Sequence, residues 1–202
     1  MLPRVLIRIR TLLEFGIDAE GDLYAFPWME NPDVPRVTVL RHSLGHVVYF
    51  RRDVPGEVRR QIEMIGPDSA FETPERVRQV LGSRRTAPAA RFRSHYILMT
   101  EPPTDTSGVV RHGSHFLTFD AERPVSWAWT VREHAVAEEG SVETIETFRR
   151  QGFGRRVLAS WTKYVRDQGK LPLLGIDTGD GPATGLATNM GGKYFANSVT
   201  FA

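Results

Sequence analysis

Residues 143–155 read E-T-I-E-T-F-R-R-Q-G-F-G-R. An alternating stretch runs into a turn with two glycines, and the turn opens an amphipathic run carrying Val157, Trp161, Tyr164 and Val165 at three- and four-residue spacing. The pattern predicts a strand, a tight turn and a helix over Phe153–Gln168, ended by Gly169. Gly152 and Gly154 lack a Cβ, so the backbone can bend sharply there and come close to a ligand. The first amides of such a helix have no intrahelical partner and carry the positive end of the dipole, which suits phosphate or pyrophosphate. Arg149, Arg150, Arg155 and Arg156 add cationic charge around the turn. Each such dipole or exposed-charge contribution is worth about 0.3–1 kcal/mol, so several must act together. For a bare G-x-G, the competing reading is an ordinary helix start with solvated arginines. Strand, arginine-flanked turn and long amphipathic helix in combination favour an anion site.

Further out, Gly140 opens the strand Ser141–Thr147, Leu171–Ile176 is a strand, Ala183–Met190 a short helix and Tyr194–Phe201 a last strand. Upstream, His95–Thr100 reads as a strand, followed by a loop with Pro102, Pro103 and Gly108. His115–Phe119 and Val125–Val131 form a hairpin across the turn D-A-E-R-P. The crossover through the long helix predicts parallel, neighbouring strands on either side of it, joined right-handedly. The fold class is therefore α/β, with a central mixed, mostly antiparallel sheet flanked by helices. The first half is less regular. Residues 2–14 and 54–65 read as helices, with the strands Arg36–Leu40 and His46–Phe50 between them. A loop rich in turn formers (Pro27, Asn31, Pro32, Pro35) precedes those strands. Thr73 and Pro74 start another helix that Gly82 closes. Ser83–Ala90 is the linker candidate, which divides the chain into residues 1–90 and 91–202.

A dinucleotide site is the obvious rival, since Gly152 and Gly154 supply two glycines of G-x-G-x-x-G and Asp177 ends the next strand. Val157 occupies the third glycine position, and the tail after Asp177 is too short for the remaining strand–helix units of a Rossmann sheet. No Lys-Ser/Thr follows the glycines, which excludes a Walker A loop.

The segment Arg149-Arg150-Gln151-Gly152-Phe153-Gly154 matches the R/Q-x-x-G-x-G/A signature of the GNAT superfamily of N-acetyltransferases, and Ser141–Gly192 resembles its members throughout. The resemblance implies an acyl-CoA N-acyltransferase fold with acetyl-CoA as cosubstrate. Amides of Gln151–Arg155 would hold the pyrophosphate. The strand Val142–Glu146, with Thr144 and Ile145, would splay from its neighbour and bind the pantetheine arm. A small-molecule or peptide amine would attack the thioester directly, and residues 1–90 would shape the acceptor side. Glu143 and Glu146 are the candidate general bases. Three apart on a regular strand, they face opposite sides, and Glu143 is preferred because Glu146 lies nearer the turn. The sequence departs from the family pattern after the last parallel strand: Thr184 stands for a serine, Asp180 or Gly181 falls where an asparagine is usual, and the nearest tyrosine is Tyr194, beyond the short helix. A binding module of the same fold that holds CoA without turnover is the alternative.

The 202 residues include no cysteine, which excludes disulfides, thiolate metal sites and cysteine nucleophiles and fits a cytoplasmic setting. The formal net charge of +2 gives no strong field for nucleic acid, and no apolar run is long enough to cross a bilayer. Arg8 and Arg10 interrupt the N-terminal apolar stretch, so it reads as an amphipathic helix rather than a secretory signal. A homodimer is compatible with all of this. His42-x-x-x-His46 and His112-x-x-His115 fall in strand or loop contexts without a carboxylate cluster, so no metal is expected. Gly113-Ser114-His115 lacks the second glycine of a nucleophile elbow, and His134 reads as a loop histidine. Trp127 and Trp129 share one strand face and read as core, with stacking on a substrate as the second reading.

Overall fold

The computed structural model describes residues 3–24, 34–82, 90–99 and 105–202. The chain divides into two compact units, Met1–Ser94 with Phe195–Ala202, and His95–Tyr194. Residues 83–89 of the expected linker lie outside the described residues, as do Pro27, Asn31, Pro32, Thr100, Pro102 and Pro103.

In the first unit the amphipathic start forms α1 (Pro3–Glu14), which buries Leu6, Ile7 and Leu13. A two-residue ladder joins β1 (Gly16–Ile17) to β2 (Leu23–Tyr24). The two predicted strands appear as the antiparallel hairpin β3 (Val37–His42) and β4 (Gly45–Phe50). The expected helices resolve into three: α2 (Gly56–Ile65), α3 (Pro67–Glu72) and α4 (Pro74–Val80). Gly66, with φ of +85°, and Pro67 break what would otherwise continue as one helix. Thr73 does not cap α4 with its side chain. Its hydroxyl instead donates back to the Ser69 carbonyl of α3. Val37, Val39, Phe50, Ile62, Val77, Val199 and Phe201 make this unit's main core.

The second unit holds the end of β5 (Arg91–Ile97), then β6 (Val109–His112), β7 (His115–Asp120), β8 (Arg123–His134) and β9 (Ala137–Thr144). It continues with α5 (Phe153–Asp167), β10 (Leu171–Asp177) and α6 (Gly181–Asn189). The last strand, β11 (Lys193–Phe201), begins here; its residues from Phe195 belong to the first unit and pair antiparallel with β3. The strand order within the second unit is β5-β10-β9-β8-β7-β6. β6 to β9 are antiparallel neighbours and β9–β10 is parallel, as the crossover through α5 requires.

Two readings of this region need correction. Gly140 lies inside β9 rather than at its start, because Glu138 and Glu139 are buried strand residues with cationic partners. Lys170 donates to Glu138 (2.9 Å), and Arg132 donates to Glu139 (2.9 Å). The strand also ends at Thr144, and Glu146–Phe148 forms a 3₁₀ turn.

The apolar face of α5 does what its periodicity predicts. Val157, Leu158, Trp161 and Val165 are fully buried against Phe116, Ala128, Leu174 and Ile176, and Ala187 of α6 and Met190, which follows that helix, join the same cluster. Each such side chain contributes about 1.5–3 kcal/mol by leaving water. Among the described residues no helix is long and apolar enough to cross a membrane.

Candidate active site

Strand β9 keeps company with β10 for only half its length. Ala137, Glu138, Glu139 and Gly140 pair with Leu171, Pro172, Leu173 and Leu174, and the parallel register ends there. On its other edge β9 stays paired with β8 as far as Thr144, opposite Ser126. From Ser141 onward the ladder with β10 has ended, so main-chain N–H and C=O groups on that edge of β9 face a gap between the strands, and such groups need a partner.

The closed end of that gap is locked by packing. A Cβ on Gly140 would lie 2.6 Å from the Trp161 ring, so only glycine lets the indole lie flat on the strand. The indole Nε1 donates to Thr130 Oγ1 (2.9 Å), and that hydroxyl donates to Glu138 (2.6 Å). Lys170 bridges Glu138 and Glu133. Hydrogen bonds to Glu133 and Glu138 hold the Lys170 ammonium above its ordinary pKa, against the effect of burial.

At the open end the chain turns into α5. Arg150 and Gly152 both have positive φ, +62° and +85°. Gly152 caps the helix without any side-chain cap, and the first intrahelical bond runs from the Arg156 amide to the Gly152 carbonyl (3.1 Å). The amides of Phe153, Gly154 and Arg155 thus precede the helical ladder and face outward with the dipole's positive end. The two glycines have different physical reasons. Gly152 supplies the left-handed turn and has open space where a Cβ would be. Gly154 lets the helix press on β9, since its Cβ would fall 2.9 Å from Thr144 Oγ1 and within 4 Å of Val142 and Leu186. Val142, Thr144 and the glycine turn are consequently one site. Ile145, partly buried, donates its amide to the Val125 carbonyl.

The arginines divide by role. Arg149 donates to the Thr144 carbonyl (3.2 Å) and so closes the end of the strand. Arg156 lies over the Phe153 ring at 4.6 Å and donates to the Ser107 carbonyl. That tie between α5 and the 105–107 loop has no counterpart in the sequence reading. Hydrogen bonds from Ser107 hold the nearby Asp105 carboxyl below its ordinary pKa, helped by the charges of Arg156 and Arg155. Arg150 and Arg155 are exposed beside the turn, and Gln151 donates its side-chain amide to the Thr147 carbonyl.

The two candidate bases are not the opposite faces of one strand. Glu143 stands exposed on β9 directly across from Trp127, whereas Glu146 sits off the strand in the 3₁₀ turn. Trp127 and Trp129 also depart from expectation. The face buried under α5 belongs to Ser126 and Ala128, and the tryptophans are partly exposed on the other side. Just before α6, Asp180 accepts from the Ala183 amide (3.0 Å), so one of the two residues near the asparagine's place is a helix cap; Thr184 follows in the first turn. Tyr194 is 50% exposed, its ring edge-on to Tyr96 at 5.9 Å. Among the described residues no group of three histidine, aspartate or glutamate side chains is placed to hold a metal.

Residues 121–200 match the family model described as FR47-like protein. No curated protein matches this sequence significantly. Among solved structures, an acetyltransferase of the GNAT family from Colwellia psychrerythraea is similar over 100% of this chain and 98% of its own, at 9% identity and a TM-score of 0.52. A GNAT-family protein from Novosphingobium aromaticivorans is similar at 16% identity and a TM-score of 0.51, over 56% of this chain. The match spans 65% of that second protein, a little under two thirds of its length. At these identities the likeness speaks for the fold. Taken with the family-model match over residues 121–200, it shows that the chain has a fold like that of GNAT-family acetyltransferases.

Proposed function

We propose that the protein is an acyl-CoA-dependent N-acyltransferase that moves an acetyl group from acetyl-CoA to a primary amine. The observation that carries the reading is the parting of β9 from β10 after Gly140, beside a glycine-turned helix start whose first amides have no helical partner. The residues present fit the cosubstrate. Amides of Gln151–Arg155 would bind the pyrophosphate, with Arg150 and Arg155 close by. The free edge of Val142–Thr144 would run along the pantetheine arm, and Thr184 would line its far side; Ile145, expected there too, has both main-chain groups taken by Val125 and Phe148.

The chemistry asked of the protein is modest. Acetyl-CoA supplies an activated acyl group. Glu143 takes a proton from the incoming ammonium, directly or through a water, and frees the nitrogen lone pair. The amine nitrogen bonds to the acyl carbon as the carbon–sulfur bond breaks, and the second amine proton goes to the departing thiolate. Tyr194 is the tyrosine on hand to relay that second proton, giving its own to the thiolate and taking the amine's in return, and Glu146 is the secondary carboxylate. A cytoplasmic location goes with an intracellular cosubstrate of this kind.

A CoA-binding module without turnover is the second reading, favoured because the family's asparagine falls at Asp180 or Gly181, of which Asp180 is a helix cap and Gly181 has no side chain. Calorimetry with acetyl-CoA, followed by thiol release against pooled amines, separates the two. Acetyl-CoA binding with thiol release is the expected result. Binding without release selects the module, and no binding at all removes both readings.

A further inference from the structure

The side of the second unit's sheet that faces away from α5 carries an aromatic surface not used above. In the antiparallel ladder, Trp127 stands opposite Glu143 and Trp129 opposite Ser141, while His115 pairs with Trp129 across the next ladder. Directly paired residues share a face, with Cβ atoms about 4.5–5.5 Å apart. Val142 and Thr144 point to α5, so Ser141 and Glu143 project to the tryptophan side by strand alternation. The His115 and Trp129 rings are stacked, within 12° of parallel and with centroids 6.2 Å apart, so the imidazole backs the Trp129 indole. The second unit's own helices, α5 and α6, pack together in the cluster on the opposite face. Glu143 thus joins two things: the strand whose free edge borders the gap, and an aromatic platform beside it.

We propose that the acceptor is a primary amine with a flat aromatic body, lying on Trp127 and Trp129 with its ammonium group against Glu143. This substrate class rests on the acyltransferase reading of the site. The charge fits, since the carboxylate faces a cation before proton removal. The placement fits too: a tryptophan directly across from the carboxylate puts an indole within reach of the same cation and of the ring attached to it. An amine held so has its nitrogen at β9, on the strand that borders the acyl donor, and its body on β8.

The test is an NMR titration of the tryptophan indole N–H signals in the full chain with phenethylamine, butylamine and 3-phenylpropionate. Phenethylamine is expected to bind about ten-fold more tightly than either of the others, the scale set by one aromatic or one charge contact. Trp127→Leu should erase its advantage over butylamine, and Glu143→Gln its advantage over phenylpropionate. Equal affinities for the three ligands in the unaltered protein overturn the proposal, and so do preferences that survive both substitutions. The unaltered protein decides the question alone if a variant fails to fold. Acetyl-CoA binding, measured separately, keeps the two readings apart. Its loss with the amine preferences intact sinks the acyltransferase and leaves the platform; the reverse result sinks the platform only.

Discussion

The two ends of strand β9 are built from the same backbone to opposite purposes. At Ala137–Gly140 the strand is paired on both edges, an indole lies on its glycine, and two buried glutamates are matched to Lys170 and Arg132. At Ser141–Thr144 one edge is open, the side chains are partly or fully exposed, and a helix start presses in through a glycine. Binding sites need backbone groups held rigidly yet left unpaired, a costly condition unless the neighbouring structure fixes them. The contrast teaches that the closed end is the anchor that holds the open end open.

The contrast can be broken most severely at the anchor. Trp161→Ala should lower stability by about 3–5 kcal/mol, because it empties a fully buried site next to Gly140, and urea denaturation measures it. A loss under about 1 kcal/mol would mean that the anchor is not where we place it. At the open end, Glu143→Gln should reduce kcat by about 10²–10⁴-fold while leaving the melting temperature in place. An unchanged kcat for an accepted amine removes this carboxylate from the mechanism. Between the two ends, Gly154→Ala puts a methyl 2.9 Å from Thr144 Oγ1. It should cost about 1–3 kcal/mol by overpacking and weaken acetyl-CoA binding at the same time; a stability loss with unaltered affinity would separate the helix start from the ligand.

The smallest effect is on pH dependence. Lys170 has its pKa raised above the ordinary 10.5 by Glu133 and Glu138. Its pairing should therefore contribute fully below that value and fade as pH climbs through the higher folded-state value. Chemical denaturation from pH 9 to 12, against Lys170→Met as the flat reference, reads this slope. A slope equal in both proteins would show that the bridge does not stabilise the anchor.

Legibility in the sequence followed how local each feature is. The α5 helix declared itself through its apolar periodicity, and the glycine turn through residue type. β6 went unpredicted because most of its residues are exposed, which leaves no alternation to read. Nothing in residue type marks Glu138 and Glu139 as buried, and only their partners, Lys170 from beyond α5 and Arg132 across the ladder, make them interior. The run of strand-forming residues continues through Thr147, so the 3₁₀ turn at Glu146–Phe148 was hidden, and with it the true place of Glu146. A strand glycine paired with a helix tryptophan was the available signal for the anchor, since glycine inside a strand marks a close approach.

By itself the sequence determined the strand–turn–helix–strand order, the arginine-flanked glycines and the carboxylate at Glu143, all of them properties of neighbouring residues. Tertiary structure alone decided where β9 leaves β10, which face Glu143 shares with Trp127, and that Asp180 caps a helix. The first two depend on contacts between residues far apart in the chain, and the last on a side-chain geometry that residue type leaves open.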